Sequence, residues 1–142
     1  MARQNISITT DSVIFFNNNN NQLKVLLVKR KKNPFKDQWA LPGGFLEDEE
    51  PLEIGAKREL SEETGLKVEN LKQLKAFGTP GRDPRGRTIS IPFWGEVTSQ
   101  EKVEGSDDAA DARWFSFDDL PELAFDHSEI LKLAWEAYLG QK

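Results

Sequence analysis

The sequence contains no cysteine, and it has only one histidine and one methionine among its 142 residues. The absence of cysteine excludes disulfide bonds, zinc–thiolate sites and thiol catalysis. A Ser-His-Asp hydrolase would depend on His127 alone, and no Gly-x-Ser-x-Gly motif accompanies that residue. No apolar run approaches the roughly 20 residues that span a membrane, and the polar N-terminus lacks a secretory pattern. We therefore expect a cytoplasmic protein without a membrane partner.

Basic residues are outnumbered by acidic ones, which gives a formal net charge of −5. This balance argues against general nucleic-acid binding, because such binding requires basic surface. It is compatible with a small nucleotide-derived ligand, for which one local basic patch is sufficient. The length, with 37% hydrophobic and 30% charged residues, is typical of a soluble globular domain. We predict a single domain over residues 1–142.

One segment has the pattern of a glycine loop followed by an acidic helix. Gly43 and Gly44 allow backbone angles that other residues resist. Pro51 suits the first helical position, where its missing N–H would be unpaired anyway. Gly65 suits the residue just past a helix end. The pattern predicts a helix over Pro51–Thr64.

The glutamates of this helix lie beside its apolar face. The apolar stripe consists of Leu52, Ala56 and Leu60. At about 100° per residue, Glu59 and Glu63 overlie this stripe and Glu62 borders it. Carboxylates held half out of water repel one another and lose hydration, and Arg58 is the only helical cation close to them. They therefore need a further positive charge.

A divalent cation would supply that charge, because Mg²⁺ and Mn²⁺ prefer oxygen ligands and keep coordination sites for a phosphate-bearing substrate. The alternative is a surface helix rich in glutamate, which favours solubility and binds nothing. The position of the carboxylates on the helix and the preceding glycine loop favour the metal site.

The same segment resembles the signature of the Nudix hydrolases, in which glycine, glutamate, Arg-Glu, Glu-Glu and glycine recur at fixed spacing. The matching positions are Gly44, Glu50, Arg58, Glu59, Leu60, Glu62, Glu63, Gly65 and Leu66. The resemblance implies the Nudix fold, an α+β protein (α/β/α sandwich) whose mixed β-sheet is flanked by helices. It also implies hydrolysis of a nucleoside diphosphate linked to another moiety, with Mg²⁺ or Mn²⁺ as cofactor.

The resemblance also implies roles for the side chains of the helix. We predict that Glu59, Glu63 and Glu62 ligate one to three metal ions, with the Gly44 carbonyl as a further ligand. The water that attacks is oriented or deprotonated by Glu62 or by an acid from the loop Glu101–Asp111. Within that loop Asp107 or Asp108 is preferred.

Two residues of the signature are assigned supporting roles. Glu50 and Arg58 are expected to lie behind the ligands, with Arg58 holding a carboxylate in place and so contributing to catalysis. Gly65 supports the motif by ending the helix.

The loop between residues 78 and 88 carries three arginines, Arg82, Arg85 and Arg87, in a protein that is acidic overall. Arginine makes bidentate phosphate contacts, so Arg82 and Arg85 are predicted to bind substrate. The alternative is a self-contained loop in which Asp83 pairs with a neighbouring arginine. Arg30 ends a basic strand, where phosphate contact and a solvated strand end are both open.

The remaining elements follow from residue patterns. Strands are predicted over Ile6–Phe16, Leu23–Arg30, Trp39–Gly44, Lys67–Gly78, Thr88–Thr98 and Ala112–Phe115, with a loop without function at Asn17–Asn21. The strand Trp39–Gly44 brings Gly43 to the substrate. A final helix over His127–Leu139 is expected to begin at a capping box of Asp126 and Glu129. His127 is predicted to be structural, and the aromatics Phe16, Phe35 and Phe93 are more typical of core than of a base-stacking site.

Two further segments resemble one branch of the family. Arg82–Arg85, with Thr88 and Ser90, and the tail Ala112–His127 are similar to ADP-ribose pyrophosphatases and to Nudix domains of NAD-metabolism regulators. This implies hydrolysis of ADP-ribose to AMP and ribose 5-phosphate. An oxidised (8-oxo) deoxynucleoside triphosphate, another nucleotide sugar, or ADP-ribose sensing without cleavage are the alternatives. Members of this branch are often dimers, so a homodimer is a further expectation.

Overall fold

The computed structural model describes residues 3–17, 22–99 and 102–141. Its strands are β1 (Ser7–Asn17), β2 (Leu23–Arg30), β3 (Trp39–Ala40), β4 (Gly43–Phe45), β5 (Lys72–Gln73), β6 (Thr88–Val97) and β7 (Ala109–Ser116). Its helices are α1 (Leu52–Thr64) and α2 (His127–Gly140), with a 3₁₀ turn at Phe117–Asp119. The Asn18–Asn21 part of the predicted loop, and Glu101, lie outside the described residues.

The seven strands form one mixed sheet with the order β3-β2-β1-β6-β5. Strand β1 is central, since it runs parallel to β6 and antiparallel to β2. Strand β4 also pairs with β1, and β7 pairs with β2. The N-terminal half of β1 therefore lies beside the glycines of β4, which places that half next to the predicted site.

Alternate side chains of the central strands pack on opposite faces, as the two-residue period of a strand requires. Val13 and Phe15 pack in a cluster with Ile130 of α2. Ile14 packs with Ala56 and Leu60 of α1. Each helix thus covers one face of the sheet, which confirms the predicted α+β class with a mixed sheet flanked by helices.

Two predicted strands differ from the structure. The strand predicted over Lys67–Gly78 was wrong, since only Lys72–Gln73 is a strand and Phe77 makes an isolated bridge to Ser90. Val68 and Leu71, which precede this strand, are apolar because they pack in the cluster with Ala56 and Leu60 of α1, and they belong to no strand. The predicted Trp39–Gly44 strand is divided at Leu41–Pro42, because Pro42 has no N–H to donate to a sheet ladder.

The ends of the helices differ in part from the sequence pattern. Helix α1 begins after Pro51, which is its N-cap residue. Asp126 precedes α2 but makes no side-chain capping hydrogen bond, because Arg82 donates to its carboxylate instead. Helix α2 continues through Gly140. Strand β7 is longer than the predicted Ala112–Phe115. No helix in the described part of the chain is long and apolar enough to cross a membrane.

Gly65 ends α1 in the left-handed conformation, with φ of 78°, and its N–H donates to the Ser61 carbonyl. An added methyl group would meet nothing within 4 Å, so only the backbone conformation penalises it. We expect Gly65→Ala to lower the free energy of unfolding by about 1 kcal/mol, measured by urea denaturation. Gly140→Ala is the matched control, because that exposed helical glycine has no such φ and the change should be neutral or stabilising. Equal effects of the two substitutions would contradict the prediction.

Candidate active site

A cleft of about 350 Å³ lies where β4, α1 and the loops after β2, before β6 and before α2 meet. Acidic and basic residues line it together. The acidic ones are Asp11, Glu59, Glu63, Asp83, Asp107 and Asp108, and the basic ones are Arg30, Lys32, Arg82, Arg85 and His127. Gly43, Gly44, Phe45 and Phe125 also contribute. The predicted glycine loop, the acidic helix and the arginine loop therefore converge on one cavity.

Glu63 lies at the base of this cleft with 6% of its surface exposed. Its Oε1 accepts a hydrogen bond of 2.7 Å from the Gly43 N–H. Burial raises the pKa of Glu63 to about 8; this hydrogen bond opposes the shift, and the neighbouring Glu59 and Asp11 add to it. The carboxylate is thus held in an environment that disfavours its charge.

Glu59 packs directly against the glycine loop. A methyl group built on Gly44 would lie 2.5 Å from Oε2 of Glu59, so only glycine fits there without displacing the carboxylate. Burial raises the pKa of Glu59, although the Arg58 guanidinium partly offsets this shift. The buried Glu63 and the partly buried Glu59 therefore form a pair of carboxylates that lacks sufficient positive charge.

Arg58 connects this pair to the outer edge of the helix. Its Nε and Nη2 donate to Glu50 at 2.6 and 2.9 Å, and Nη1 donates to Glu59 at 2.9 Å. Nη1 also lies 3.2 Å from a Glu62 oxygen, and Nη2 donates to the Phe45 carbonyl at 3.2 Å. One guanidinium therefore orients several acceptors of the motif and cannot neutralise them all.

Glu62 occupies a different position from the other two glutamates. Its side chain is 42% exposed, and it does not contribute to the lining of the cleft. Asp107 and Asp108, from the predicted acidic loop, do line the cleft. Their loop is tethered to α1, because the Ser106 N–H donates to the Glu63 carbonyl at 3.1 Å.

The arginines that line the cleft already hold carboxylates or carbonyls of the protein. Arg82 makes two hydrogen bonds to Asp126, at 2.6 and 2.9 Å, and its side chain is 4% exposed. Arg85 donates to Asp83, as the self-contained alternative anticipated, at 2.8 and 3.1 Å. The Arg30 Nε donates to the Pro34 carbonyl at 2.6 Å.

Arg85 and the aromatic side chains at the mouth of the cleft were only partly anticipated. The guanidinium of Arg85 lies 4.7 Å from the Phe45 ring and 5.6 Å from the Phe125 ring. Neither phenylalanine was singled out from the sequence. Of those that were, Phe16 and Phe93 are buried in the core, and Phe35 packs on Phe125.

Asp11 is another cleft residue that sequence reasoning missed. It is buried on the central strand, where it accepts a hydrogen bond from the Ser90 hydroxyl. The signal that could have identified it is a lone acid inside a strand of apolar and hydroxyl residues. Such a residue needs buried hydrogen-bond donors, and here a neighbouring strand supplies one.

The donor set fits a hard divalent cation that is shared with a phosphate. Among residues 3–17, 22–99 and 102–141, no group of three acidic or histidine side chains is assembled to hold a metal ion alone. Magnesium sites often use only one or two carboxylates and complete their coordination with substrate phosphates and water. The buried pair of Glu59 and Glu63, with raised pKa values and a glycine loop that leaves room beside it, meets that requirement.

Comparisons with known proteins agree with this architecture. The NUDIX domain family profile matches residues 8–134. The chain is 50% identical over 111 residues to the ADP-ribose pyrophosphatase of Methanocaldococcus jannaschii. This match covers 77% of this chain and 64% of that protein, so the chain spans less than two thirds of its relative's length. The chain therefore belongs to the NUDIX domain family.

Two solved structures are similar in fold. The NUDIX domain of Shewanella oneidensis NrtR, complexed with ADP ribose, has a TM-score of 0.88 and 32% identity, and the match covers 96% of this chain and 90% of that one. A bifunctional NMN adenylyltransferase/ADP ribose pyrophosphatase from Francisella tularensis, complexed with AMP and a manganese ion, has a TM-score of 0.82 and 30% identity. That match covers 96% of this chain and 43% of the other.

The raised pKa of Glu63 predicts how the stability of the metal-free protein varies with pH. Folded Glu63 keeps its proton up to a pH of about 8, whereas the unfolded side chain loses it near 4.5. The contribution of Glu63 to the free energy of unfolding is therefore complete below pH 4.5, and it is lost as the pH rises to about 8. With a chelator present, Glu63→Gln should reduce this loss by an amount on the order of a few kcal/mol.

Urea denaturation between pH 5 and 8.5 measures this effect. Glu53→Gln is the matched control, because Glu53 lies on the same helix but pairs with Lys57 at its surface. If the free energy of unfolding of Glu63→Gln falls with pH as steeply as that of the native chain, burial of the carboxylate is not the cause.

Proposed function

We propose that this chain hydrolyses the diphosphate linkage of ADP-ribose to give AMP and ribose 5-phosphate, with Mg²⁺ or Mn²⁺ as cofactor. The observation that carries the proposal is a pair of carboxylates, the buried Glu63 and the partly buried Glu59, held beside a glycine loop in a cleft with arginines around it. Similarity to two known proteins favours ADP-ribose as the substrate. The Methanocaldococcus protein is an ADP-ribose pyrophosphatase, and the Shewanella domain is complexed with ADP ribose.

The metal would be held by Glu59, Glu63 and the Gly44 carbonyl, with Glu62 as a further ligand if its exposed side chain turns toward the cleft. A bound ion supplies positive charge to the diphosphate oxygens and lowers the pKa of a bound water. This chain's contribution is the orientation of the carboxylates: Gly43 holds Glu63, and Arg58 holds Glu59. Arg58 thus contributes by keeping a ligand in place.

The arginine side of the cleft would bind the diphosphate. Arg30 and Arg85 provide guanidinium groups at the opening, and Arg82 holds the neighbouring segment through its ion pair with Asp126. The contact with Asp83 and the two phenylalanine rings together hold the guanidinium of Arg85 in one orientation at this surface. Gly43 brings a backbone segment without a side chain to the same surface.

Hydrolysis adds water across the P–O–P linkage. The water oxygen bonds to one phosphorus, the bridging oxygen leaves with the other phosphate, and a carboxylate accepts a proton. Glu62 and the acids of the loop before β7 are the candidates for that carboxylate. Asp107 and Asp108 line the cleft, whereas Glu62 is largely outside it, so we favour the loop.

The first experiment measures ADP-ribose turnover with Mg²⁺ and with Mn²⁺, separating products by chromatography. Glu59→Gln and Glu63→Gln should each lower kcat by roughly 100-fold, because each removes a charge from the metal site. Of Glu62→Gln and Asp107→Asn, the substitution that lowers kcat more identifies the carboxylate that accepts the proton. Glu53→Gln, exposed on the same helix, should retain the native rate. Native rates for both Glu59→Gln and Glu63→Gln would refute the proposed role of the helix.

The same assay distinguishes the other candidates. A panel containing 8-oxo-dGTP and nucleotide sugars, ranked by kcat/KM, identifies a different preferred substrate. ADP-ribose sensing is a second candidate function, favoured by the likeness to the NrtR domain that is complexed with ADP ribose. Tight calorimetric binding of ADP-ribose without AMP formation would replace hydrolysis with sensing.

Substitution of Arg85 tests the binding surface. Arg85→Lys keeps the positive charge but loses the two-point contact with Asp83 and the planar stacking on Phe45. We expect KM for ADP-ribose to rise by roughly tenfold, since a charged hydrogen bond contributes about 1.5–3 kcal/mol, with a smaller change in kcat. Arg87→Lys is the matched control, because Arg87 is exposed on the same loop and outside the cleft. Equal KM values for the two variants would contradict this role of Arg85.

A single domain over residues 1–142, a cytoplasmic location and a homodimer belong to the same proposal. The match to the family covers residues 8–134. Gel filtration with light scattering measures the oligomeric state directly.

A further inference from the structure

The single histidine of the protein lies behind the glycine loop. His127 is the first residue of α2 and is 4% exposed. We propose that His127 is a positioning residue: its imidazole fixes the Leu41–Gly43 turn and thereby the Glu63 carboxylate that this turn holds. The kinetic part of this proposal rests on the proposed hydrolase function, whereas the structural part does not.

The hydrogen bond at Leu41 determines the tautomer of the ring. The Leu41 N–H donates to Nδ1 of His127 at 3.0 Å. A ring nitrogen that accepts a hydrogen bond carries no proton, so the proton of the neutral imidazole lies on Nε2. Burial lowers the pKa of His127, which agrees with a neutral ring.

The other ring nitrogen faces Asp11. The Nε2 atom lies 3.6 Å from Oδ1 of Asp11. Asp11 is itself fixed, because its Oδ2 accepts from the Ser90 hydroxyl at 2.5 Å and from the Thr9 hydroxyl at 3.4 Å. The imidazole is therefore held between a backbone donor on one side and an anchored carboxylate on the other.

The turn that His127 holds leads directly to Glu63. The Pro42 carbonyl accepts from the Ser12 N–H at 2.8 Å. The next residue, Gly43, packs so closely on β1 that an added methyl group would lie 2.5 Å from Oδ1 of Asp11. The Gly43 N–H then donates to Glu63 at 2.7 Å. Only Pro42 thus separates the residue that contacts His127 from the residue that contacts the Glu63 carboxylate.

Loss of the imidazole acceptor would affect more than packing. The buried Leu41 N–H would have no acceptor from the ring, and an unpaired buried donor costs free energy. The turn can recover a partner only by moving, and movement of Gly43 displaces the Glu63 carboxylate. Small displacements of this kind are costly for catalysis. A phenylalanine of similar volume would fill the space but could not replace the acceptor.

The first test uses the native chain without a histidine tag, free of metal. Because there is one histidine, its imidazole nitrogens give an unambiguous ¹⁵N spectrum. We expect a neutral ring protonated at Nε2 at pH 7. A ring protonated at Nδ1, or at both nitrogens, would overturn the proposal, since neither can accept from Leu41.

The second test compares three variants by amide exchange of Gly43 and by kinetics. His127→Asn keeps an acceptor near the position of Nδ1, His127→Gln places its amide nearer to Nε2, and His127→Phe keeps only the ring volume. Gly43 exchange should be roughly tenfold faster in the Gln and Phe variants than in the Asn variant. In the same two variants kcat should fall by about 10–100-fold, with a smaller change in KM.

Ile130→Val is the control for stability, because it trims the core cluster that also contains Leu41 but leaves the hydrogen bond between Leu41 and His127 in place. It should lower the free energy of unfolding without changing Gly43 exchange relative to global unfolding. Equal behaviour of His127→Asn and His127→Gln would overturn the proposal, and that comparison decides it if His127→Phe does not fold. If the native chain does not hydrolyse ADP-ribose, the proposed function fails, while the exchange comparison still decides the role of His127.

Discussion

Two carboxylates of one helix are held out of water beside a backbone segment that has no side chains. Burial of Glu59 and Glu63 raises the pKa of both groups, so the ionised pair is an unfavourable arrangement of charge in the folded chain. Only interactions formed elsewhere in the structure can sustain it. A ligand that brings positive charge would relieve it, which is why a buried acidic pair of this kind is suited to divalent ions and to the phosphates that share them.

Hydrogen bonds from three parts of the fold hold the two carboxylates in place, directly or through the turn. Gly43 donates to Glu63, and Arg58 donates to Glu59 while it is anchored by Glu50. His127, the first residue of α2, accepts a hydrogen bond from the Leu41 N–H of the same turn. Since the turn is packed against β1, the central strand and both helices contribute to the position of one pair of carboxylates. The stability of the core and the geometry of the site are thus coupled.

Helix α1 and the loop before β7 bring carboxylates to the cleft, whereas the end of β2 and the loop before β6 bring guanidinium groups together with Asp83. This arrangement suits the proposed diphosphate, which would lie between metal ions and guanidinium groups. Arg82 shows that residue type alone is a poor guide within this cleft. Its ion pair with Asp126 replaces the capping role that the sequence predicted for that aspartate, and it leaves Arg85 as the more accessible guanidinium of the loop.

Local patterns in the chain were sufficient for the acidic helix, the glycine that ends it and the arginine loop, because periodicity and turn chemistry depend on near neighbours. They also predicted both main helices and most strands, but they misread Lys67–Gly78, where apolar residues are buried in a segment that is mostly irregular. Folding determined that Glu62 faces outward, that Asp126 lies within reach of Arg82, and that Asp11 and His127 meet beneath the turn. The contacts of Arg82 with Asp126 and of His127 with Asp11 join residues far apart in the chain. No local pattern encodes which distant partner will satisfy a buried polar group.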